Sequence, residues 1–234
     1  MKTKIINILI LVATIVGTLV ALSSMPDTVP VHFDFHGIAD RWGSKYELLV
    51  MPVIMLAMLA FWIGIEMFYK NKVKSSENEK EVAEAKANMK VMDVTSIITS
   101  LMFAVINFIT IYASYSQLEG VSASDFDILK LLTIVMGVSF ILIGNFMPKA
   151  KNNRNLGFRL PWTRYNDVTW QKSNRFAGIA MVISGIIITI GGIIFSGKVS
   201  MIIMLISLCV ALPILTIYAY TVYSKETKGN NDQE

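Results

Sequence analysis

The chain of 234 residues is 54% hydrophobic and only 16% charged, with a formal net charge of +4. Soluble globular domains carry about 25% charged residues, so the composition excludes an ordinary soluble domain. The apolar residues form six blocks, each close to the ~20 residues that a helix needs to cross the hydrocarbon core of a bilayer. We therefore predict an all-α membrane protein with six transmembrane helices. The blocks are Ile5–Ser23, Leu48–Tyr69, Met92–Ser114, Ile128–Met147, Phe176–Phe195 and Ser200–Val222.

The first block also has the outline of a signal peptide. Lys2 and Lys4 precede it, and Ala21-Leu22-Ser23 resembles a small-residue cleavage site. The apolar stretch is about 18 residues long, whereas the apolar region of a signal peptide is usually ~7–15 residues. We therefore expect the block to be retained as a transmembrane helix, with cleavage as the alternative.

The segment 24–47 is predicted to be a short structured outer loop between the first two helices. Prolines and glycines interrupt it, and Val31–His36 alternates with period two, which favours a short extended piece. In such a strand His32, Asp34 and His36 would share one side, and Phe33 and Phe35 the other. Its candidate site residues are His32, Asp34, His36, Gly37, Asp40 and Trp42.

Two interpretations of this outer loop are open. Two imidazoles and one carboxylate could hold a divalent metal, but closed structural sites need four ligands and the sequence supplies three. We therefore predict no metal site. The alternative places Phe33, Phe35 and Trp42 at the membrane interface, with the polar side in water.

The segment 70–91 is charged and lacks glycine and proline, so we expect it to extend the third helix into the cytosol. Glu66 is the one charge well inside an apolar block. It can pair with Lys70 one turn later, although an intramembrane carboxylate could also be a proton or ion site. Asn107, central in the third block, is a candidate for an interhelical hydrogen bond.

The segment 145–175 between the fourth and fifth blocks carries seven Lys or Arg, two Trp and two Pro. Cations suit lipid headgroups and tryptophan suits the interface. Pro148 should end the fourth helix, Gly157 permits a turn with positive φ, and Asn166 or Asp167 should cap the fifth helix. We expect a folded element that packs under the helices, with Trp170 at headgroup depth; plain anchoring to the interface is the alternative.

Basic residues predict the orientation. If both termini and the segments 70–91 and 148–175 are cytoplasmic, 17 of the 21 Lys and Arg residues lie inside, as the positive-inside rule requires. We divide the chain into residues 1–90, a two-helix unit with the outer loop, and residues 91–234, a four-helix membrane domain.

Two motifs resemble a known family. Ile143–Lys149 reads IGNFMPK, Gly157–Thr163 reads GFRLPWT, and Trp170 with Arg175 follows. This order resembles the signature of the SdpI family of bacterial membrane proteins, and the outer loop is similar to a domain of unknown function that often precedes it. Asn174 stands where the family often has His. The signature candidates are Asn145, Pro148, Asn152, Gly157, Arg159, Pro161, Trp162, Thr163, Trp170 and Arg175.

The resemblance implies a multi-pass protein of the bacterial cytoplasmic membrane that protects the cell against a membrane-active peptide toxin. It also implies a cytoplasmic repressor as a possible second partner, beside the lipid bilayer. The sequence contains no familiar catalytic or nucleotide-binding motif. We therefore expect no enzymatic activity, no cofactor and no direct contact with nucleic acid. The alternatives are a small-solute or ion transporter and an envelope-stress sensor.

Overall fold

The computed structural model describes residues 2–120, 127–153 and 155–231. Within them, six helices are long and apolar enough to cross a membrane, which confirms the predicted fold class. Their large apolar side chains point mainly outward, as they do in proteins that face lipid. The helices are α1 (Lys2–Ser23), α2 (Val50–Ser75), α3 (Glu79–Leu118), α4 (Ile128–Phe146), α5 (Asp167–Ile194) and α6 (Gly197–Asn231).

Polar side chains hold α1 against α3 in the interior. Asn107 Nδ2 donates to Thr18 Oγ1 over 2.9 Å, which confirms the interhelical role predicted for this asparagine. Near the other end of α1, Asn7 Nδ2 donates to Ser96 Oγ over 2.9 Å. All four side chains are buried, where an unpaired amide would be costly.

Glycines bring α4 and α5 into close contact. A Cβ atom on Gly185 would lie 2.6 Å from the carbonyl oxygen of Gly137, and one on Gly178 would lie 2.7 Å from the carbonyl oxygen of Gly144. Any larger residue at these positions would force the backbones apart. Small residues on facing helices allow such close packing in membrane proteins.

The outer loop forms a β-hairpin of β1 (Thr28–Phe33) and β2 (Ala39–Ser44), paired antiparallel. Only residues 31–33 of the predicted extended piece lie in a strand, because residues 34–37 make the turn. Val29 is fully buried, and Ser114 Oγ of α3 donates to the carbonyl oxygen of Pro30 over 2.7 Å. The hairpin is thus fixed on the C-terminal end of α3.

The charged segment 70–91 is helical except for residues 76–78. Asn78 caps α3, and its side chain accepts hydrogen bonds from the backbone amides of Lys80 and Glu81. The third helix therefore extends back from its apolar block to Glu79 without a break, which confirms the expected helical extension. Glu66 forms the predicted ion pair with Lys70.

The orientation of the helices can be tested by labelling of single cysteines. In a Cys209→Ser background, which removes the natural cysteine, we expect Asp27→Cys to react with a membrane-impermeant maleimide in intact cells. Arg159→Cys should react only after the cells are permeabilised, because the positive-inside rule places its loop in the cytoplasm. Labelling of Arg159→Cys in intact cells would refute the predicted orientation.

Candidate functional site: the loop between α4 and α5

The signature loop, residues 148–175, begins where α4 ends. The α-helix ends at Phe146, and a single 3₁₀ turn over Met147–Lys149 follows it. This end was expected, because Pro148 lacks an amide hydrogen. Ala150, directly after this turn, is buried. The loop therefore turns back beneath the helices at once.

Trp170 fixes this first part of the loop to α5. Its ring is only 1% exposed and packs with Val91 and Ala150, with Phe146 at the edge. The indole Nε1 donates to the carbonyl oxygen of Ala150 over 2.7 Å. This burial agrees with the expected folded element and not with plain anchoring to the interface, whereas the depth of Trp170 in a bilayer stays a prediction. Its ring is an internal packing residue that joins α3, α5 and the loop.

Asn174 lies one turn further along α5 and holds the middle of the loop. The residue is fully buried. Its Oδ1 accepts from the amide of Phe158 over 2.7 Å, and its Nδ2 is 3.4 Å from the carbonyl oxygen of Phe158 and 3.2 Å from that of Trp170. The carboxamide thus contacts both backbone polar groups of Phe158, and the amide of Phe158 has its hydrogen-bond acceptor in Asn174.

Gly157 provides the space for that contact. Its φ is +97°, so the predicted positive φ is confirmed. A Cβ atom at this position would lie 2.5 Å from Asn174 Oδ1 and 3.1 Å from the ring of Trp170. Any side chain here would therefore collide with the two residues that organise the loop.

Thr163 organises the GFRLPWT turn from inside. It is fully buried, and its Oγ1 accepts from the amide of Leu160 over 2.9 Å and lies 3.0 Å from the carbonyl oxygen of Phe158. The neighbouring Trp162 packs edge to face on Tyr220 of α6, with ring centroids 6.0 Å apart. Its Nε1 is buried without a hydrogen-bond partner in the described part of the chain. The turn is therefore docked on α6 as well as on α5.

The N-terminus of α5 closes the loop. Asn166 caps the helix, and it exchanges hydrogen bonds with Thr169 in a capping box of 2.7 and 3.0 Å. Thr169 Oγ1 also lies 3.2 Å from the carbonyl oxygen of Thr163. Of the two predicted caps, Asn166 is the one used.

Several predicted signature residues lie outside this hydrogen-bonded centre. An asparagine one turn inside a membrane helix is expected to bond to a neighbouring helix or to the loop backbone, because an unpaired amide is costly in lipid. Asn145 is instead exposed, and its side chain has no hydrogen bond within the described residues, so this expectation is wrong. Asn145 lies on the outer face of the last turn of α4. Arg159, Pro161 and Arg175 are also exposed, whereas Asn152 is partly buried with its Nδ2 3.5 Å from the carbonyl oxygen of Arg164.

The predicted outer-loop residues form two separate pairs. His32 Nδ1 is 2.6 Å from Asp40 Oδ1 across the hairpin. Asp34 instead caps the turn, because its Oδ1 accepts from the amides of Ile38 and His36 over 2.9 and 2.8 Å. These amides hold the pKa of Asp34 below its usual value. The three residues do not form a joint ligand set, so the shared side expected for them is wrong.

The remaining outer-loop candidates shape the turn and its surface. Gly37 adopts a φ of +74° in the turn between the strands. Trp42 of β2 is 52% exposed, and Phe35 at the turn is exposed as well. No group of three or more His, Cys, Asp or Glu side chains that could hold a metal ion occurs among the residues described.

Comparisons with known proteins bear on both regions. Residues 149–219 match the SdpI/YfhL protein family, and residues 9–56 match a domain of unknown function, DUF1648. The resemblance to the SdpI family that the two motifs indicated is therefore confirmed. The SdpI match covers most of the signature loop, α5 and α6 up to Ala219, and the DUF1648 match covers α1 from Leu9, the hairpin and the start of α2.

Two relatives extend these matches. The chain is 26% identical over 228 residues to a Bacillus subtilis (strain 168) protein named "Immunity protein SdpI", and the alignment covers 96% of this chain and 98% of that protein. An uncharacterized protein of Archaeoglobus fulgidus is 32% identical over 79 residues. That alignment covers 26% of this chain and only 43% of the archaeal protein. No solved structure matches the chain.

Asn174 is the central residue of this SdpI-family loop that sequence reasoning missed as a site residue. The available signal was its spacing, since Asn174 lies four residues after Trp170 and therefore on the same face of a helix. If the tryptophan packs on a loop, a polar side chain on the same helix face can reach that loop. It is then expected to form hydrogen bonds with the loop backbone.

Substitution of Gly157 tests the geometry of the loop. We expect Gly157→Ala to lower stability by more than about 1–2 kcal/mol, because the backbone strain of a positive φ adds to the collision with Asn174. Gly64→Ala is the matched control, since a Cβ atom on this helical glycine has no neighbour within 4 Å. It should leave the stability unchanged or raise it by up to ~1 kcal/mol. Thermal unfolding of both variants in detergent measures this, and equal melting temperatures would contradict the described contact.

Proposed function

We propose that this chain is an immunity protein that protects its cell against a membrane-active peptide toxin. The observation that carries the proposal is the extent of the similarity to the Bacillus subtilis immunity protein, which includes 96% of this chain and 98% of that protein. Similarity of this extent includes both the hairpin and the signature loop. A shared transmembrane scaffold alone would not require the built loop around Asn174.

The outer hairpin supplies the surface that a secreted peptide would meet first in the proposed orientation. Phe35, Ile38 and Trp42 are exposed there, next to charged side chains such as Arg41. Exposed aromatic and aliphatic side chains bind the apolar face of an amphipathic peptide. Protection would then follow if the bound peptide is kept from inserting into the bilayer.

A survival assay tests protection directly. Expression of the chain in a bacterial strain that lacks an SdpI-family protein should raise the toxin concentration that the cells survive several-fold. Trp162→Ala should reduce this gain, because it removes the contact between the signature loop and Tyr220. Arg159→Ala should reduce it as well, because it removes an exposed cation of the signature motif.

The control for both variants is Lys225→Ala, which removes an exposed cation near the same end of α6. Immunoblots of the membrane fraction must show equal amounts of each variant. The immunity proposal fails if the wild-type chain gives no gain in survival against any candidate peptide.

We further propose that the cytoplasmic face holds a cognate repressor at the membrane, as the family resemblance implies. In the proposed orientation, exposed cations of the signature loop and of the neighbouring helix ends face the cytosol, among them Arg159, Arg164 and Arg175. They offer a basic surface that a protein with a complementary acidic patch would recognise.

Localisation of the repressor tests this second role. A fluorescent fusion of a repressor encoded beside this gene should move from the nucleoid to the membrane when the chain is expressed in the presence of toxin. Arg159→Ala combined with Arg175→Ala should weaken this movement, whereas Lys198→Ala, on the opposite side, should not. A fusion that stays on the nucleoid with the wild-type chain would rule out sequestration without affecting the immunity proposal.

A further inference from the structure

A polar pocket lies at the seam between the α2–α3 hairpin and the signature loop. Its cavity of about 340 Å³ falls in the range of small-ligand sites, which is roughly 300–1,000 Å³. We call it the seam pocket. Its polar lining consists mainly of Tyr69, Lys72, Glu84, Asn88, Asn152 and Arg164.

Contacts across the seam hold the pocket open. Asn88 Oδ1 accepts from the amide of Lys151 over 2.8 Å, and Tyr69 Oη donates to Asn153 Oδ1 over 3.2 Å. Beyond the pocket, Lys80 of α3 pairs with Asp167 at the start of α5 over 2.9 Å. The walls come from separate parts of the chain, yet hydrogen bonds and an ion pair fix them relative to each other.

One buried donor faces the pocket without a partner. Asn88 is only 2% exposed and lines the cavity. Its Oδ1 is used by Lys151, but its Nδ2 donates no hydrogen bond to any described residue. This donor on the cavity wall is therefore available to an acceptor inside the pocket.

The charges of the pocket indicate the sign of that acceptor. Lys72 and Arg164 are cations and Glu84 is the one carboxylate among the described lining residues, which gives a net charge of +1. Arg164 has no ion pair within the described chain, and the carboxylate of Glu81 is 3.8 Å from Lys72 Nζ. Lys80, at 4.0 Å, partly neutralises Glu84. The other two charged lining residues each have an opposite charge within 4.0 Å, so Arg164 is the cation of the described lining that is left to bind an anion.

We propose that the seam pocket binds a singly charged phosphate ester. A guanidinium, an ammonium and a neutral amide are the donors that hold phosphate oxygens in proteins. Phe68, which also lines the pocket, is 53% exposed on a membrane-spanning helix, so the cavity borders the lipid-facing surface. The same phosphate chemistry occurs in a phospholipid headgroup and in soluble phosphate esters. The inference stands independently of the immunity role.

Binding to the purified, delipidated full-length chain in detergent tests the proposal. Phosphatidylglycerol in mixed micelles is the lipid probe, and glycerophosphoglycerol, a water-soluble diester with the same single charge, is the soluble probe. We expect saturable binding with one ligand per chain, measured by native mass spectrometry and by a rise in melting temperature. Lys72→Gln combined with Arg164→Gln should weaken the apparent affinity about tenfold or more, because two charged donors are lost.

The matched control is Lys74→Gln combined with Lys86→Gln. It removes the same charge from exposed lysines of α2 and α3 that do not line the pocket. An unchanged melting temperature without ligand shows that a double variant is folded. If the double variant of the pocket is unfolded, the single variant Lys72→Gln is tested in its place. Saturation by the lipid alone identifies a headgroup, and competition by a soluble probe identifies a free phosphate ester. Failure of all probes to bind, or equal losses in both pairs, would overturn the proposal.

Discussion

The hydrogen bonds between the carboxamide of Asn174 and the backbone of Phe158 are the constraint on which the signature loop depends. A loop that packs under a membrane-spanning bundle must find internal partners for its amides and carbonyls, since it is withdrawn from water. Asn174 supplies both partners at one point, from a rigid helix. Gly157 is required because the Cβ atom of any other residue would collide with Asn174 Oδ1. Trp170 then covers the assembly and holds Ala150.

The loop and the membrane helices form one packed unit. α5 carries Trp170 and Asn174 at its start, and further along it lies against α4 at Gly178 and Gly185. These close contacts fix the distance and rotation of the two helices that the loop connects. The same Gly178 lies against the ring of Pro148, so the exit of α4 and the loop share one contact. The position of the loop therefore follows from the packing inside the membrane.

Local chemistry allowed much of this fold to be predicted from the sequence. Bilayer thickness sets the length of the apolar blocks, so the six helices could be predicted. The roles of Asn166, whose side chain caps the amide of Thr169 three residues later, and of Gly157, which adopts a positive φ, are equally local. The role of Asn174 depends on Phe158, 16 residues away, which hydropathy does not show. The burial of the Trp170 ring could not be predicted from residue type, because an amphipathic ring suits both an interface and a protein interior. The exposure of Asn145 could not be predicted either, because residue type alone does not give the face of a helix.

The long helix α3 connects the two regions to which function is assigned. Its outer end holds the hairpin through Ser114, and its inner part lines the seam pocket through Asn88. The 26 residues between them span about 39 Å at 1.5 Å per residue, which exceeds the hydrocarbon core. If the two proposed roles are coupled, a physical link of this length is needed. α3 is continuous between the two contacts, so it is the element through which the hairpin and the signature loop would influence each other.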